Sequence, residues 1–341
     1  MSATNTEPSQ QSIAGLARIG EDVFAECALT AYELPSSAHT RLISTSENAT
    51  FLVEDGRPVG VLRVYRHDNQ SVDAIRSELA WIDVLRSGDV VRTPAIQRTR
   101  TGEAFHLVEA GGVTRACALF EHVEGTEPVS DDLRTYALVG RTAALLHRHV
   151  EGWARPSWFT RPHWDLEGVL GPQAIWGQWA HGPEVNPERA ALLRRAESEV
   201  RRNLATYPAD SHGGLVHCDL RAANLLKGPD DEVWVIDFDD SGFSWYLWDL
   251  CSSTTLIEHL PHVDQVVEAW LGGYTQERAL GAEDLAAIPH LVFLRRLHLL
   301  AWLGSHPEAD LAHELGDSYT IATCEVADRY LSGAFLGNVR P

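Results

Sequence analysis

Three oxygen-bearing side chains in the second half of the chain could do chemistry together. Asp219 stands in His217-Cys218-Asp219-Leu220-Arg221-Ala222-Ala223-Asn224. Asn224 follows five residues on, and Asp237, in Val235-Ile236-Asp237-Phe238-Asp239, comes thirteen residues after that. Phosphoryl transfer needs a group that orients the attacking hydroxyl and accepts its proton, and a carboxylate on a rigid loop does this. Asp219 is the candidate for that role. The same reaction needs a cation such as Mg2+ to neutralise the transferring phosphates, and hard cations take oxygen ligands. The Asn224 amide oxygen and the Asp237 carboxylate are the candidate ligands. Each half of the pattern alone is also what a turn-rich stretch yields by chance; together, on a loop that returns into a strand, they point into one cleft. His217 reads as a residue that packs and hydrogen-bonds to hold the loop, rather than as a proton carrier.

These residues need elements to position them. Apolar spacing predicts a helix over about 12–34, then short strands over 41–44, 50–54 and 59–65, with Asp55-Gly56-Arg57-Pro58 as the turn between the last two. A helix is expected over about 72–86, and two further strands over 104–109 and 114–122 around Gly111-Gly112. From Asp131 the pattern is mostly helical: 131–149, 187–204, 263–274, 282–303 and 313–331. Short strands at 224–226 and 233–236 flank the candidate residues. Between Gly152 and Val185 lies an irregular stretch holding Trp153, Trp158, Trp164, Trp176 and Trp179. These rings read as core or as a ligand platform. The fold class is α+β, with a small antiparallel-sheet lobe at 1–120, a linker at 121–126 and a larger, mostly helical lobe at 127–341.

The run His217 to Asn224 matches the kinase catalytic loop H-x-D-L-x-x-x-N, with Cys218 where protein kinases place Arg, and Asp237-Phe238 matches the metal-binding Asp motif with its third residue changed. With these motifs and Ile236 to Asp249, the chain resembles the aminoglycoside phosphotransferase and choline kinase-like superfamily, which shares the protein kinase fold, over about residues 13–333. The resemblance implies ATP or GTP as donor with Mg2+, and nucleotide binding in the small lobe. It implies that Ser46, in Ser44-Thr45-Ser46-Glu47-Asn48-Ala49-Thr50, holds phosphate in place of a glycine-rich loop; an ordinary polar hairpin is the other reading of that segment. It implies that Glu121 to Val123 is the linker whose backbone, at Glu121 and Val123, binds the base. The family's phosphate-gripping lysine is missing, since Lys227 is the chain's only lysine. Arg63 stands in its place with Glu78 as partner; a strand-surface arginine is the alternative. Asp249 resembles the helix-start Asp that braces the catalytic loop. The block Trp158 to Trp179, with Arg161-Pro162 and Trp176-Gly177, resembles a bacterial branch containing stress-response protein kinases and homoserine kinase-like enzymes.

Composition bounds the partners. A formal net charge of −20 over 341 residues repels phosphate backbones, so nucleic acid is not an expected partner, whereas a cationic ligand is compatible. Glu258, Asp264, Glu268, Glu283 and Asp284 offer acid for such a ligand. The polar start lacks the pattern of a secretory signal, and the apolar run near Leu291 is interrupted by Arg295 and Arg296, so no membrane association is expected. Five scattered cysteines without C-x-x-C spacing fit neither a disulfide framework nor a zinc site, and the expected location is cytoplasmic. No sequence feature sets an oligomeric state. The expected activity is transfer to a small-molecule hydroxyl, cationic or nucleoside-like, with an antibiotic or related natural product as the favoured acceptor. The alternatives are a Ser/Thr protein kinase, a homoserine kinase-like metabolite kinase and a nucleotide-binding pseudokinase.

Overall fold

The computed structural model describes residues 20–45, 48–67, 70–129, 132–229 and 232–340. The chain divides into two compact units, Met1–Val72 with Ile96–His122, and Asp73–Ala95 with Val123–Pro341.

The first unit is built on an antiparallel sheet. Helix α1 (Glu21–Leu29) precedes β1 (His39–Thr45), β2 (Ala49–Glu54) and β3 (Pro58–Val64). After the excursion to the second unit come β4 (Ile96–Gln97), β5 (His106–Ala110) and β6 (Val113–Phe120). The strand order is β1-β2-β3-β6-β4, with β5 also on β6. Alternation on β3 sends Leu62 and Val64 into the core, where they meet Phe24, Ala28 and Tyr32 from α1 and the residues after it. Arg63 lies on the opposite face, its guanidinium carbon 5.8 Å from the ring centroids of both Tyr65 and Phe120. Ser46 and the first part of the helix expected at 12–34 lie outside the described residues.

The second unit begins at Asp73, within α2 (Val72–Ser87), a helix that the sequence groups with the first 120 residues. It lies in the second unit because its inner face is bonded there: the Thr160 N–H donates to Ser77 Oγ, and the edge of Trp81 meets Phe238 at 5.3 Å. Then follow α3 (Leu133–Gly152), α4 (Leu166–Leu170), α5 (Pro187–Leu204) and α6 (Ala209–His212). Four short strands come next: β7 (Gly213–Val216), β8 (Leu225–Lys227), β9 (Val233–Val235) and β10 (Gly242–Trp245). β7 pairs with β10 and β8 with β9, both antiparallel. The rest is helical: α7 (Trp248–Ser253), α8 (Val263–Tyr274), α9 (Ala282–Ser305), α10 (Asp310–Leu315) and α11 (Ser318–Leu331). The helix expected over 313–331 is split at Gly316, whose φ of +50° ends α10.

Among the described residues α9 alone is long and apolar enough to cross a bilayer, yet 72% of that stretch is buried inside the protein. Its Arg296 donates to Glu258 at 2.7 Å with both side chains out of solvent, so Glu258 is a structural acid rather than an exposed one. Asp284 accepts from Tyr207 Oη at 2.5 Å and from the Gly281 N–H, which fixes the start of α9. Asp264, Glu268 and Glu283 are exposed.

Helices α3 and α8 approach backbone to backbone. A Cβ on Gly273 would stand 1.8 Å from the Ala137 carbonyl oxygen, and one on Gly140 would stand 2.1 Å from that of Trp270. Gly273→Ala is expected to destabilise the protein by about 1–3 kcal/mol, because the helices must part to admit a methyl group. A lower urea midpoint at unchanged slope is the expected reading; an unchanged midpoint would show that the close approach is not needed.

Candidate active site

The candidate catalytic loop leaves β7, makes a single 3-10 turn over Ala222–Asn224 and enters β8. β8 returns as β9 in register, Leu225 opposite Val235, and the Ile236 N–H donates to the Asn224 carbonyl at 3.0 Å. That pairing brings Asn224 and Asp237 to the same end of one hairpin. Asn224 also holds Asp219: its Nδ2 donates to the Asp219 carbonyl and to Asp219 Oδ2, both at 2.8 Å. Arg221 Nε donates to the same Oδ2 at 3.0 Å, and the Asp219 charge raises the Arg221 pKa. Asp219 Oδ1 faces Arg295 Nη2 at 3.4 Å.

Two residues of this loop system sit in the left-handed region, Cys218 at φ +68° and Asp237 at φ +66°. Neither is glycine, so each is held against steric cost by its surroundings. For Cys218 the holder is Asp249. Its Oδ1 accepts the Cys218 N–H at 2.8 Å, and its Oδ2 accepts the His217 N–H at 3.3 Å. Asp249 follows the first residue of α7 but makes no capping bond there, so its carboxylate braces the loop instead of the helix end. His147 completes the brace, with Nε2 donating to Asp249 Oδ2 at 2.9 Å and Nδ1 accepting from Tyr274 Oη at 2.9 Å. Burial holds His147 below the usual imidazole pKa, consistent with this neutral tautomer. Burial likewise pushes the Cys218 thiol far up, so it is not a nucleophile. His217 is fully buried, donates through Nε2 to the Ile236 carbonyl at 3.1 Å and packs on Phe238. It therefore ties the catalytic loop to the Asp237 strand.

Glu78 is fully buried on α2. Glu121 and Val123 are half-buried in irregular chain after β6. Asp219, Asn224, Asp237 and Glu78 belong to the second unit with Val123, and Arg63 and Glu121 to the first.

The sequence marks Arg295 only as a break in an apolar run, and His147 not at all. Arg295 is 4% exposed in the apolar middle of α9, with its guanidinium carbon 5.5 Å from the Trp176 ring and 5.8 Å from that of Trp248. A cation inside an apolar helix was the available signal. His298 stacks on Trp176 at 3.9 Å, and the half-buried Trp176 and Trp302 flank this cluster. The Trp-rich stretch thus supplies both core, in Trp164 and Trp179, and an aromatic wall beside the residue that faces Asp219.

An antiparallel-sheet unit, a helical unit and the Asp219–Asn224–Asp237 hairpin define a protein kinase-like fold of the α+β class. The chain belongs to the phosphotransferase enzyme family, which it matches over residues 39–285, within the aminoglycoside phosphotransferase and choline kinase-like superfamily. A structure of a microcompartment-associated aminopropanol kinase is 40% identical, with a TM-score of 0.85 covering 93% of this chain and 99% of that one. Amicoumacin kinase of Bacillus subtilis is 22% identical over 88% of this chain and 87% of its own length. Homoserine kinase of Nitrobacter winogradskyi is 27% identical over 72% of each. The chain is a kinase that transfers a phosphoryl group to a hydroxyl of a small molecule.

Proposed function

We propose that this kinase phosphorylates a small amino alcohol of the aminopropanol kind, with ATP or GTP as donor. The observation that carries the acceptor class is the 40% identity to an aminopropanol kinase over 93% of the chain. The aromatic wall of Trp176 and Trp302 and the net charge of −20 suit an alkylammonium group. An antibiotic acceptor is the second reading, supported by the likeness to amicoumacin kinase.

Asp219 orients the acceptor hydroxyl and takes its proton. Its Oδ2 accepts from both Arg221 and Asn224, whereas its Oδ1 accepts only a longer 3.4 Å bond from Arg295, so Oδ1 is the oxygen assigned to take the proton. Asn224 has its amide nitrogen turned to Asp219, so its amide oxygen is the end left for a cation. With the Asp237 carboxylate it forms an all-oxygen donor pair that fits Mg2+. When bound, such a cation neutralises charge on the donor phosphates. Arg63 is the cation assigned to those phosphates, and the backbone at Glu121 and Val123 is assigned to the base. Arg63→Lys is expected to raise the nucleotide KM about tenfold, because a point charge replaces a two-pronged donor. Acceptor KM should stay put, and an unchanged nucleotide KM would remove Arg63 from the phosphate site.

The acceptor class is tested by kcat/KM across aminopropanol isomers, ethanolamine, choline, homoserine, aminoglycosides, amicoumacin and casein, each with ATP and with GTP. The highest value is expected for an amino alcohol. Turnover confined to the antibiotics, or to casein, would overturn the assignment.

A further inference from the structure

Arg161, in the irregular stretch between α3 and α4, has no part in the chemistry above, yet it is only 4% exposed. Its Nε donates to the Ser241 carbonyl at 2.5 Å, its Nη1 to the Ala74 carbonyl at 3.0 Å, and its Nη2 to the Asp239 carbonyl. Trp164 Nε1 donates to the intervening Asp240 carbonyl at 2.9 Å. Three successive carbonyls, beginning two residues after Asp237, are therefore bonded by side chains of one insert. Ala74 lies in the first turns of α2, the helix that carries Glu78, and the neighbouring Thr160 N–H donates to Ser77 on the same helix. One guanidinium thus joins α2 to the segment that follows Asp237.

That segment needs such a fastening. Asp237 sits at φ +66°, in the left-handed region, where a residue other than glycine carries a steric cost that the bonds around it must offset. His217 fixes the residue before it, through the Ile236 carbonyl, and Arg161 fixes the residues after it. We propose that Arg161 is a positioning residue that holds the Asp237 carboxylate in its cation-binding orientation and keeps α2 in register with it. A planar guanidinium suits three diverging carbonyls, whereas a lysine ammonium offers its donors around a single point. The inference rests on the reading of Asp237 as a cation ligand.

The test measures Mn2+ binding to the full-length protein by electron paramagnetic resonance, in the presence of a non-hydrolysable ATP analogue, for the parent, Arg161→Met, Arg161→Lys, Trp164→Phe and Asp237→Asn. Arg161→Met is expected to weaken Mn2+ binding and lower kcat by about 10- to 100-fold, as loss of an outer support for a metal ligand does. Acceptor KM should move less than about twofold, with Arg161→Lys recovering part of the loss. Trp164→Phe removes one donor while keeping an aromatic ring at that place, and should weaken Mn2+ binding in the same direction by a smaller factor. It decides the matter if Arg161→Met does not fold. Parent-like Mn2+ affinity in the folded Arg161→Met protein, or in Trp164→Phe where that stands alone, would overturn the inference, provided Asp237→Asn loses binding. If Asp237→Asn also binds Mn2+ as the parent does, the ligand reading of Asp237 has failed, and the role given to Arg161 fails with it.

Discussion

Replacing Asp219 by asparagine is expected to lower kcat by about 10²- to 10⁴-fold, the range that a positioned general base contributes. Nucleotide affinity should change by less than roughly threefold. Asparagine keeps the size of the side chain and one oxygen to accept from Arg221, and the backbone carbonyl of residue 219 still accepts from Asn224. What is lost is the oxygen facing Arg295, able to receive the hydroxyl proton. Asp219→Ala should fall at least as far, with more disturbance of Asn224, whose amide loses one of its two acceptors. Single-turnover transfer from labelled ATP separates chemistry from binding. Turnover within a few-fold of the parent in both variants would remove Asp219 from the base position.

The largest expected loss of stability follows from Asp249→Ala. The substitution leaves the Cys218 and His217 amides and His147 Nε2 without their acceptor, all in a region sealed from water. Each orphaned buried donor is worth about 1–3 kcal/mol, so a total near 3–5 kcal/mol is expected after local relaxation. For a protein of this size that corresponds to a fall in Tm of roughly 10 °C. Activity should fall further than stability accounts for, because the left-handed turn at Cys218 that aims Asp219 loses the bond that holds it. His147→Ala keeps both loop amides bonded and should show the smaller loss on both counts. Thermal melting and kcat measured on the same preparations test this. An Asp249→Ala protein that melts with the parent would show that the loop is held by other means.

The strands of the first unit and the long helices were legible because their apolar residues repeat within single segments. The expected strands at 41–44 and 50–54 lie within β1 and β2, the one at 59–65 overruns β3 by a single residue, and α5 and α8 have the bounds that their spacing indicates. β7 and β10 were not legible. Gly213-Gly214-Leu215-Val216 and Gly242-Phe243-Ser244-Trp245 are too short and glycine-rich for a local period, and each is a strand only because it pairs with the other. The same holds for the supports of the site. His147 and Asp249, Glu258 and Arg296, and Arg161 and Ser241 are far apart in sequence. Their bonds exist only in the folded chain, so the motifs mark Asp219, Asn224 and the bracing Asp249 but not its partner His147 or the anchoring Arg161. Arg295 was visible as a charge interrupting an apolar helix, and its meaning came only with the position of Asp219.

The proposed transfer of phosphate to a small amino alcohol through Asp219 can be followed at the phosphorus itself. Phosphorus NMR of the parent protein with ATP, Mg2+ and aminopropanol tests it most directly, with Asp219→Asn as the paired sample. A growing phosphomonoester of aminopropanol, matched one for one by ADP, is expected in the parent and none in the variant. ATP consumed without that phosphomonoester, or product formed equally in both samples, would contradict it.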